Sequence, residues 1–490
     1  MRNLLRLTGF LLVSVAILGF RFVTGNEEIE KLSLQQTISS IIAESTSPNS
    51  LWSVVLKDTS YNVLLEINGN SLVRPASNIK LLTSAAILDQ LSPDYRLHTD
   101  LYIDGEIRDS VLYGDIHFRG GGNPAIDRHT YNEDPLIVMY EFVQALQMAG
   151  IERVEGDVFG NVSLFDDIPY PRGWEWDDLS YYYAPEISPL SFNGNTVYLT
   201  VDSNRPVGSA PGISWFPMNT DFVEFINEQL ITARGSRFNE DYRRILGTNI
   251  ILLRSTLPQG FAETEPLSIT NPPLFFIDTF VKFAATQGLE ITGGLITTRE
   301  SKDWENYQKL HRHSSPELSY IIEMINKESD NFYTEMMVKY LAHHVYETTG
   351  STELGLTYIR EFAQRVGMDV RNLRMRDGSG MAPATLTTAR DIAHLLAFMR
   401  NHEYADVYFQ SLAVSGQDAR MRNRFLASPL QGAINGKTGF VSGTRSLSGY
   451  LHTQQENQVV FSIITNNYTV PTRNIDAIHQ QILEHIYEHF

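Results

Sequence analysis

Arg74-Pro75-Ala76-Ser77-Asn78-Ile79-Lys80 is the stretch on which the reading of this chain turns. Pro75 breaks the preceding segment just ahead of Ser77. From Ser77 onward Ile79, Leu81, Leu82, Ala85, Ala86 and Leu88 are apolar on nearly every side, the pattern of a buried helix. Ser77 is therefore expected at the start of a core helix, with Lys80 one turn later on the same face. A serine hydroxyl becomes a nucleophile only with a base in hydrogen-bond reach, and Lys80 is placed to be that base. To accept a proton its amine must be neutral, which burial and a second cation such as Lys437 would favour. The competing reading, a helix cap and a surface lysine, leaves an ammonium unpaired in an apolar helix.

Two further motifs follow in order. Ser329-Asp330-Asn331 comes after a helical run from Leu318 to Ile325, and Lys437-Thr438-Gly439 comes after a strand containing Ile434. S-x-N alone is weak, since it also starts at Ser47, Ser60 and Ser191; S-x-x-K and K-T-G each occur once. Together the three supply a nucleophile, a proton carrier and a carboxylate clamp, the parts of a serine acyl-transfer site. Ser77, Lys80, Ser329, Asn331 and Lys437 are the expected catalytic residues. In a tight loop, Ser329 could pass a proton to a leaving amine and Asn331 could bind a substrate amide. Lys437 and Thr438 would hold a terminal carboxylate, and Gly439 would let substrate lie against the strand edge. Backbone N–H groups of Ser77 and Phe440 would form the oxyanion hole.

The 490 residues leave room for about three domains. A net charge of −18 argues against nucleic acid and anionic membrane surfaces as partners. There is no cysteine, so disulfides and thiolate chemistry are excluded. No metal or organic cofactor is implied, and His311 and His313 read as surface histidines. At the N-terminus Arg2 and Arg6 precede an apolar stretch from Leu7 to Phe20, then Val23-Thr24-Gly25. This reads as an export signal over 1–25, with an uncleaved anchor as the alternative. Leu51 to Lys57, Tyr61 to Ile67, Gln431 to Asn435, Leu447 to His452 and Val459 to Thr465 read as strands, and Glu27 to Glu44 and Arg473 to His489 as helices. Neither end carries a full sheet, so the two ends are expected to build one domain. His98 to Ile103 and Val111 to Phe118 read as a hairpin, and no internal repeat is apparent. The aromatic run Trp174, Trp176, Tyr181, Tyr182 and Tyr183 reads as packing between domains or the lining of a substrate groove.

The chain resembles the D-Ala-D-Ala carboxypeptidase/DD-endopeptidase family, the class C low-molecular-mass penicillin-binding proteins. The likeness runs from about Leu51 to Tyr468. It includes the three motifs, Asp377-Gly378-Ser379-Gly380, Gly114-Asp115-Ile116 running into Gly120-Gly121-Gly122-Asn123-Pro124, and Gly173-Trp174-Glu175-Trp176-Asp177-Asp178. The separation of Ser77 from Ser329, 329 − 77 = 252 residues, matches a family with two inserted domains at this point. The resemblance implies an α+β multidomain fold: a penicillin-binding serine-hydrolase domain, an antiparallel sheet flanked by helices, with two nested, mainly β insertions. The expected parts are the catalytic domain over 27–98 and 307–490, one insertion over 99–202 and 268–306, and a second over 203–267. It implies an exported enzyme of the periplasm or cell envelope, acting on peptidoglycan stem peptides or cross-links through an acyl-enzyme on Ser77 and inhibited by β-lactams.

The same resemblance implies that Thr438, Gly439, Phe440, Asp178 and Ser379 contribute to substrate binding, Asp178 by holding the amino end of a diaminopimelate side chain. Three departures stand out. Phe440 replaces the usual Thr or Ser after K-T-G, Pro383 replaces an arginine for the diaminopimelate carboxylate, and Asn123 replaces an Asp. A serine β-lactamase or esterase on the same fold, or a non-catalytic peptidoglycan-binding protein, are the alternatives. The sequence leaves open the balance of carboxypeptidase and endopeptidase action.

Overall fold

The computed structural model describes residues 33–490. The expected export signal and the first part of the helical run from Glu27 lie outside these residues; helix is present over 33–43. The described chain forms two compact units. One holds the residues through Leu81 together with Val366–Leu373 and Leu386–Phe490; the other holds Leu82–Arg365 and Arg374–Thr385.

The first unit is built on a six-stranded sheet drawn from both ends of the chain. Its strand order is Val63–Ile67, Leu51–Asp58, Gln458–Asn466, Thr444–His452, Ile434–Val441, Ala413–Val414, each neighbour antiparallel. Leu51 pairs with Asn466 and Asp58 with Val459, so the first strand of the chain lies along its last. The pleat sends Trp52, Val54, Leu56, Phe461 and Ile463 into one cluster with Ile475, Ile482 and Ile486 of helix Thr472–His489. With Ile478 between them, spacings of three and four give the helix one apolar face. Tyr450 reaches the other side of the sheet, where its hydroxyl donates to the Leu396 carbonyl of helix Ala389–Arg400 at 2.8 Å.

The second unit contains five further sheets and has its own core, in which Phe118, Phe142, Phe276 and Phe280 meet edge to face. The expected hairpin is two nested ones. His98–Ile103 pairs with Ile116–Gly120, while Glu106–Arg108 pairs with Val111–Tyr113 in a different sheet. The chain changes sheets at Asp104-Gly105 and Gly114-Asp115. A Cβ on Gly114 would lie 2.0 Å from the Asp104 carbonyl oxygen, so only glycine fits.

That step is repeated, contrary to the sequence reading. Arg153–Glu155 passes through Gly156-Asp157 into Val158–Asn161, and Glu290–Ile291 passes through Gly293-Gly294 into Leu295–Thr298. The three crossings lie side by side in parallel pairs. Asp115 accepts from the Asp157 N–H and Asp157 from the Gly294 N–H, both at 2.7 Å. Cβ atoms on Gly156 and Gly293 would sit 2.0 and 1.9 Å from the carbonyl oxygens of Gly114 and Gly156.

Candidate active site

In the first unit, Ser77 sits in a 3₁₀ turn, Ala76–Ile79, and the α-helix Lys80–Leu91 begins only at Lys80. The sequence placed Ser77 at the start of the helix; the tighter turn puts it three residues before the α-helix begins. Ala76 has φ 47, the left-handed region that a residue with a Cβ seldom adopts. Strain of this kind persists only where surrounding contacts enforce it. Those contacts are visible. The Ser446 hydroxyl donates to the Pro75 carbonyl at 2.7 Å. Asn78 is fully buried, and its amide, oriented to satisfy both ends, donates to the Lys437 carbonyl at 2.8 Å and accepts from the Ser448 hydroxyl at 2.6 Å.

Lys80 has no exposed surface, and its ammonium donates to the Ser77 hydroxyl at 3.0 Å. Lys437 and Thr438 are also buried. Lys437-Thr438-Gly439 lies within strand Ile434–Val441 rather than after it. Lys437 Nζ reaches the Thr438 carbonyl at 3.0 Å. Gly439 is demanded by the nucleophile turn rather than by a ligand alone: a Cβ there would lie 2.2 Å from Ser446 Oγ, 2.9 Å from the Pro75 carbonyl oxygen and 3.0 Å from the Ser77 nitrogen. The following residue, Phe440, is 56% exposed. Ser77, Lys80, Lys437, Thr438, Gly439 and Phe440 are thus gathered by one turn and one strand.

In the second unit, Ser329 and Asp330 form a two-residue break between two helical segments, and Asn331 opens the second of them. Leu318–Glu323 runs into a π-helical turn, Met324–Glu328, and Ser329 follows with φ 62. Asp330 then caps helix Asn331–Tyr346, its carboxylate accepting the Tyr333 N–H at 2.9 Å. A π turn is a common device at functional sites because it shifts the side chains after it. Asn331 is the first residue of that helix, and its amide donates to the Tyr183 carbonyl and to Met381 Sδ, both at 2.8 Å. Met381 directly follows Asp377-Gly378-Ser379-Gly380.

That tetrapeptide is held by two buried carboxylates that sequence reasoning left without a role. Glu335 Oε1 accepts the N–H groups of Gly378 and Ser379 at 2.9 and 2.8 Å. Asp377 accepts from Trp174 Nε1, the Ser379 hydroxyl, the Ala382 N–H and the Thr385 hydroxyl, at 3.1, 3.1, 3.0 and 2.7 Å. Ser379 is fully buried with its hydroxyl on Asp377. Trp174 therefore anchors the loop, whereas Trp176 is 64% exposed. The signal for Glu335 was present: it stands four residues after Asn331, on the same helical face.

Asp178 is half-buried, in a 3₁₀ turn over Asp178–Ser180, and accepts from the Tyr183 hydroxyl at 3.1 Å. Burial holds its carboxyl above the usual aspartate range against that hydrogen bond, and Asp177 and Glu175 add to the effect. Tyr183 thus links Asp178, through its hydroxyl, to Asn331, through its carbonyl. One reading needs correction. His311 and His313 are not loose surface side chains: strand Gln308–Ser314 puts both on one face, with Glu141 Oε2 at 3.3 and 2.8 Å. His313 is buried and meets the Tyr131 hydroxyl at 2.9 Å.

Residues 34–485 match the model of the D-Ala-D-Ala carboxypeptidase 3 (S13) family. The chain belongs to that family. It is a serine-type peptidase. A D-alanyl-D-alanine carboxypeptidase from an Actinomadura species is 27% identical over 451 residues, 89% of this chain and 82% of that protein. The D-alanyl-D-alanine carboxypeptidase DacB of Haemophilus influenzae is 22% identical over 416 residues, 83% of each. The crystal structure of penicillin binding protein 4 (dacB) from the same organism superposes with a TM-score of 0.80 at 19% identity, covering 92% of this chain and 99% of that one. The expected fold class, α+β with a penicillin-binding serine-hydrolase domain, is borne out.

Proposed function

We propose that this peptidase cleaves D-Ala-D-Ala ends or cross-links of peptidoglycan peptides through an acyl-enzyme on Ser77. The observation that carries the reading is the buried Lys80 ammonium 3.0 Å from the Ser77 hydroxyl. Lys80 in its neutral form takes the hydroxyl proton as Ser77 Oγ attacks the D-Ala carbonyl carbon. The C–N bond breaks, and the leaving D-Ala amine takes up a proton delivered through Ser329. Water then cleaves the ester, restoring Ser77 and releasing the shortened peptide. Backbone N–H groups of Ser77 and Phe440 stabilise the oxyanion. Lys437 and Thr438 hold the terminal carboxylate, Asn331 binds the substrate amide, and Asp178 receives the side-chain amine. Ser379, turned onto Asp377, shapes the loop beside Met381.

β-Lactams are inhibitors in this reading, because their ring carbonyl meets the same serine; the Haemophilus penicillin binding protein 4 has been solved with a β-lactam bound. The reading also places the body outside the cytoplasm, in the periplasm or envelope, and assigns the nested β segments over 99–306 to inserted domains. No helix among the described residues is long and apolar enough to cross a membrane. Intact-mass analysis after incubation with benzylpenicillin tests the nucleophile. One covalent adduct should form, map to Ser77, and be absent in Ser77→Ala, which should also lose hydrolysis of a D-Ala-D-Ala peptide. Full labelling of Ser77→Ala would exclude the assignment.

A further inference from the structure

We infer that the cleft beside Lys57 is an anion-binding site, separate from the serine motifs, that takes an oxyanion such as a phosphate or a carboxylate group. Lys57 lies on strand Leu51–Asp58 of the first unit. The register against Val63–Ile67 slips between Leu56 and Lys57, so that Leu56 faces Leu65 and Lys57 faces Val63. An irregularity of this kind re-aims the side chain. Lys57 is only 5% exposed, yet it lines a cleft of ≈ 760 Å³. Arg371, Arg390, His394, Asn70 and Asn372 line the same cleft with the carboxylates Asp369 and Asp391, and all belong to the same unit.

The carboxylates around the cleft are already engaged. Glu66 receives Arg390 Nε at 2.9 Å. Asp369 receives Arg371 Nε and Nη2, both at 2.8 Å. Asp391 accepts the Asp369 N–H at 3.0 Å and the Thr388 hydroxyl at 2.6 Å. Among the described residues the Lys57 ammonium makes no direct hydrogen bond or ion pair, although the charges of Asp391, Glu66 and Asp58 reach it. Its stem is buried while its three-donor head opens on the cleft with no acceptor among the described residues in hydrogen-bond reach, so it can turn those donors to an arriving anion. Burial pushes its pKa down, and the Arg390 charge adds to this against the opposite pull of Asp391, Glu66 and Asp58. An arriving oxyanion would favour the charged ammonium and so offset both. Asn70 and Asn372 offer neutral donors at the rim, and the volume accommodates an anion carried on a larger polar molecule.

Isothermal titration of the full chain with inorganic phosphate, and separately with acetate, at fixed ionic strength in chloride, tests the site. At least one anion should bind saturably. Lys57→Met should weaken that binding about tenfold or more, the loss of a charge-assisted hydrogen bond. Arg371→Met, at a highly exposed position that leaves the fold alone, should weaken it less. Binding of phosphate but not acetate identifies a phosphate ester as the natural source; the reverse identifies a carboxylate. No saturable binding of either anion, or equal affinity in wild type and Lys57→Met, overturns the inference. If Lys57→Met does not fold, acetylation of Lys57 in the wild-type protein decides instead: the anion should slow its labelling while exposed lysines react as before, and an unchanged rate overturns the site.

Discussion

Lys80 has no exposed surface and a serine hydroxyl 3.0 Å from its ammonium, so its chemistry can be tested by changing the head group alone. Lys80→Arg keeps a charge and a donor but cannot give up a proton. Acylation by benzylpenicillin, followed by intact mass, should slow at least about a hundredfold, the usual contribution of a positioned base. A near-normal rate would assign proton transfer to another group. Asp178 is a second residue with its own readout. Its proposed partner is a substrate amine, and a charge-assisted hydrogen bond of that kind contributes roughly 1.5–3 kcal/mol. Asp178→Ala should therefore lower kcat/KM for amine-bearing peptides about tenfold to a hundredfold, yet leave acylation by a penicillin without an amine unchanged. Because burial raises the Asp178 pKa, the wild-type preference for such peptides should fade on acidification at a higher pH than an ordinary aspartate would give. A matching loss of the penicillin reaction in Asp178→Ala would show a structural role through Tyr183 instead.

Gly439 lies on strand Ile434–Val441, where the strand passes the nucleophile turn. Alanine there would overlap the Pro75 carbonyl, the Ser77 nitrogen and Ser446 Oγ. Ser446 cannot simply swing away, because its hydroxyl supports the Pro75 carbonyl. Gly439→Ala should cost roughly 1–3 kcal/mol of stability, as overpacking does, and slow acylation more than the melting shift alone explains. Unchanged acylation would separate the strand from the nucleophile's position. Which elements could be read in advance follows from the same physics. The sheet strands at both chain ends and helix Thr472–His489 were legible, because their faces are buried with clear periods. The start of helix Lys80–Leu91 and the extent of strand Ile434–Val441 were displaced by a few residues, and the cap at Asp330 was not anticipated. There, a 3₁₀ turn, a glycine-rich strand and a π turn depart from simple periodicity. The Gly-Asp crossings escaped notice because their partners are 42 and 137 residues apart, too irregular a spacing to show as a repeat.

Over the whole chain, the motifs were legible because catalysis fixes residue identity, whereas the roles of Glu335, Asp377 and Lys57 were not. A buried charge looks like any other in a sequence, and only the fold reveals what it faces. The same holds for His479, which sets how stability should respond to pH. It is fully buried in the first unit, edge-on to Trp52, with the Thr465 hydroxyl at 2.9 Å. Burial holds its pKa well below the ordinary value, and the charges of Arg424 and Arg445 push the same way. In the unfolded chain it titrates near 6.5. Above that pH both states are neutral and the residue adds no pH dependence. Below it the unfolded state binds a proton that the folded state refuses, so stability falls as the pH drops, by up to about 1.4 kcal/mol per unit. His452, in the same unit, is shifted in the same direction, so the total slope does not isolate one group. His479→Gln removes one titration and keeps a side chain able to hydrogen-bond Thr465. Urea unfolding followed by circular dichroism at pH 7.5 and 5.5 should show a smaller acid-side loss in the variant than in wild type, by about 1 kcal/mol. Equal losses in the two proteins would mean that His479 protonates without leaving its place beside Trp52.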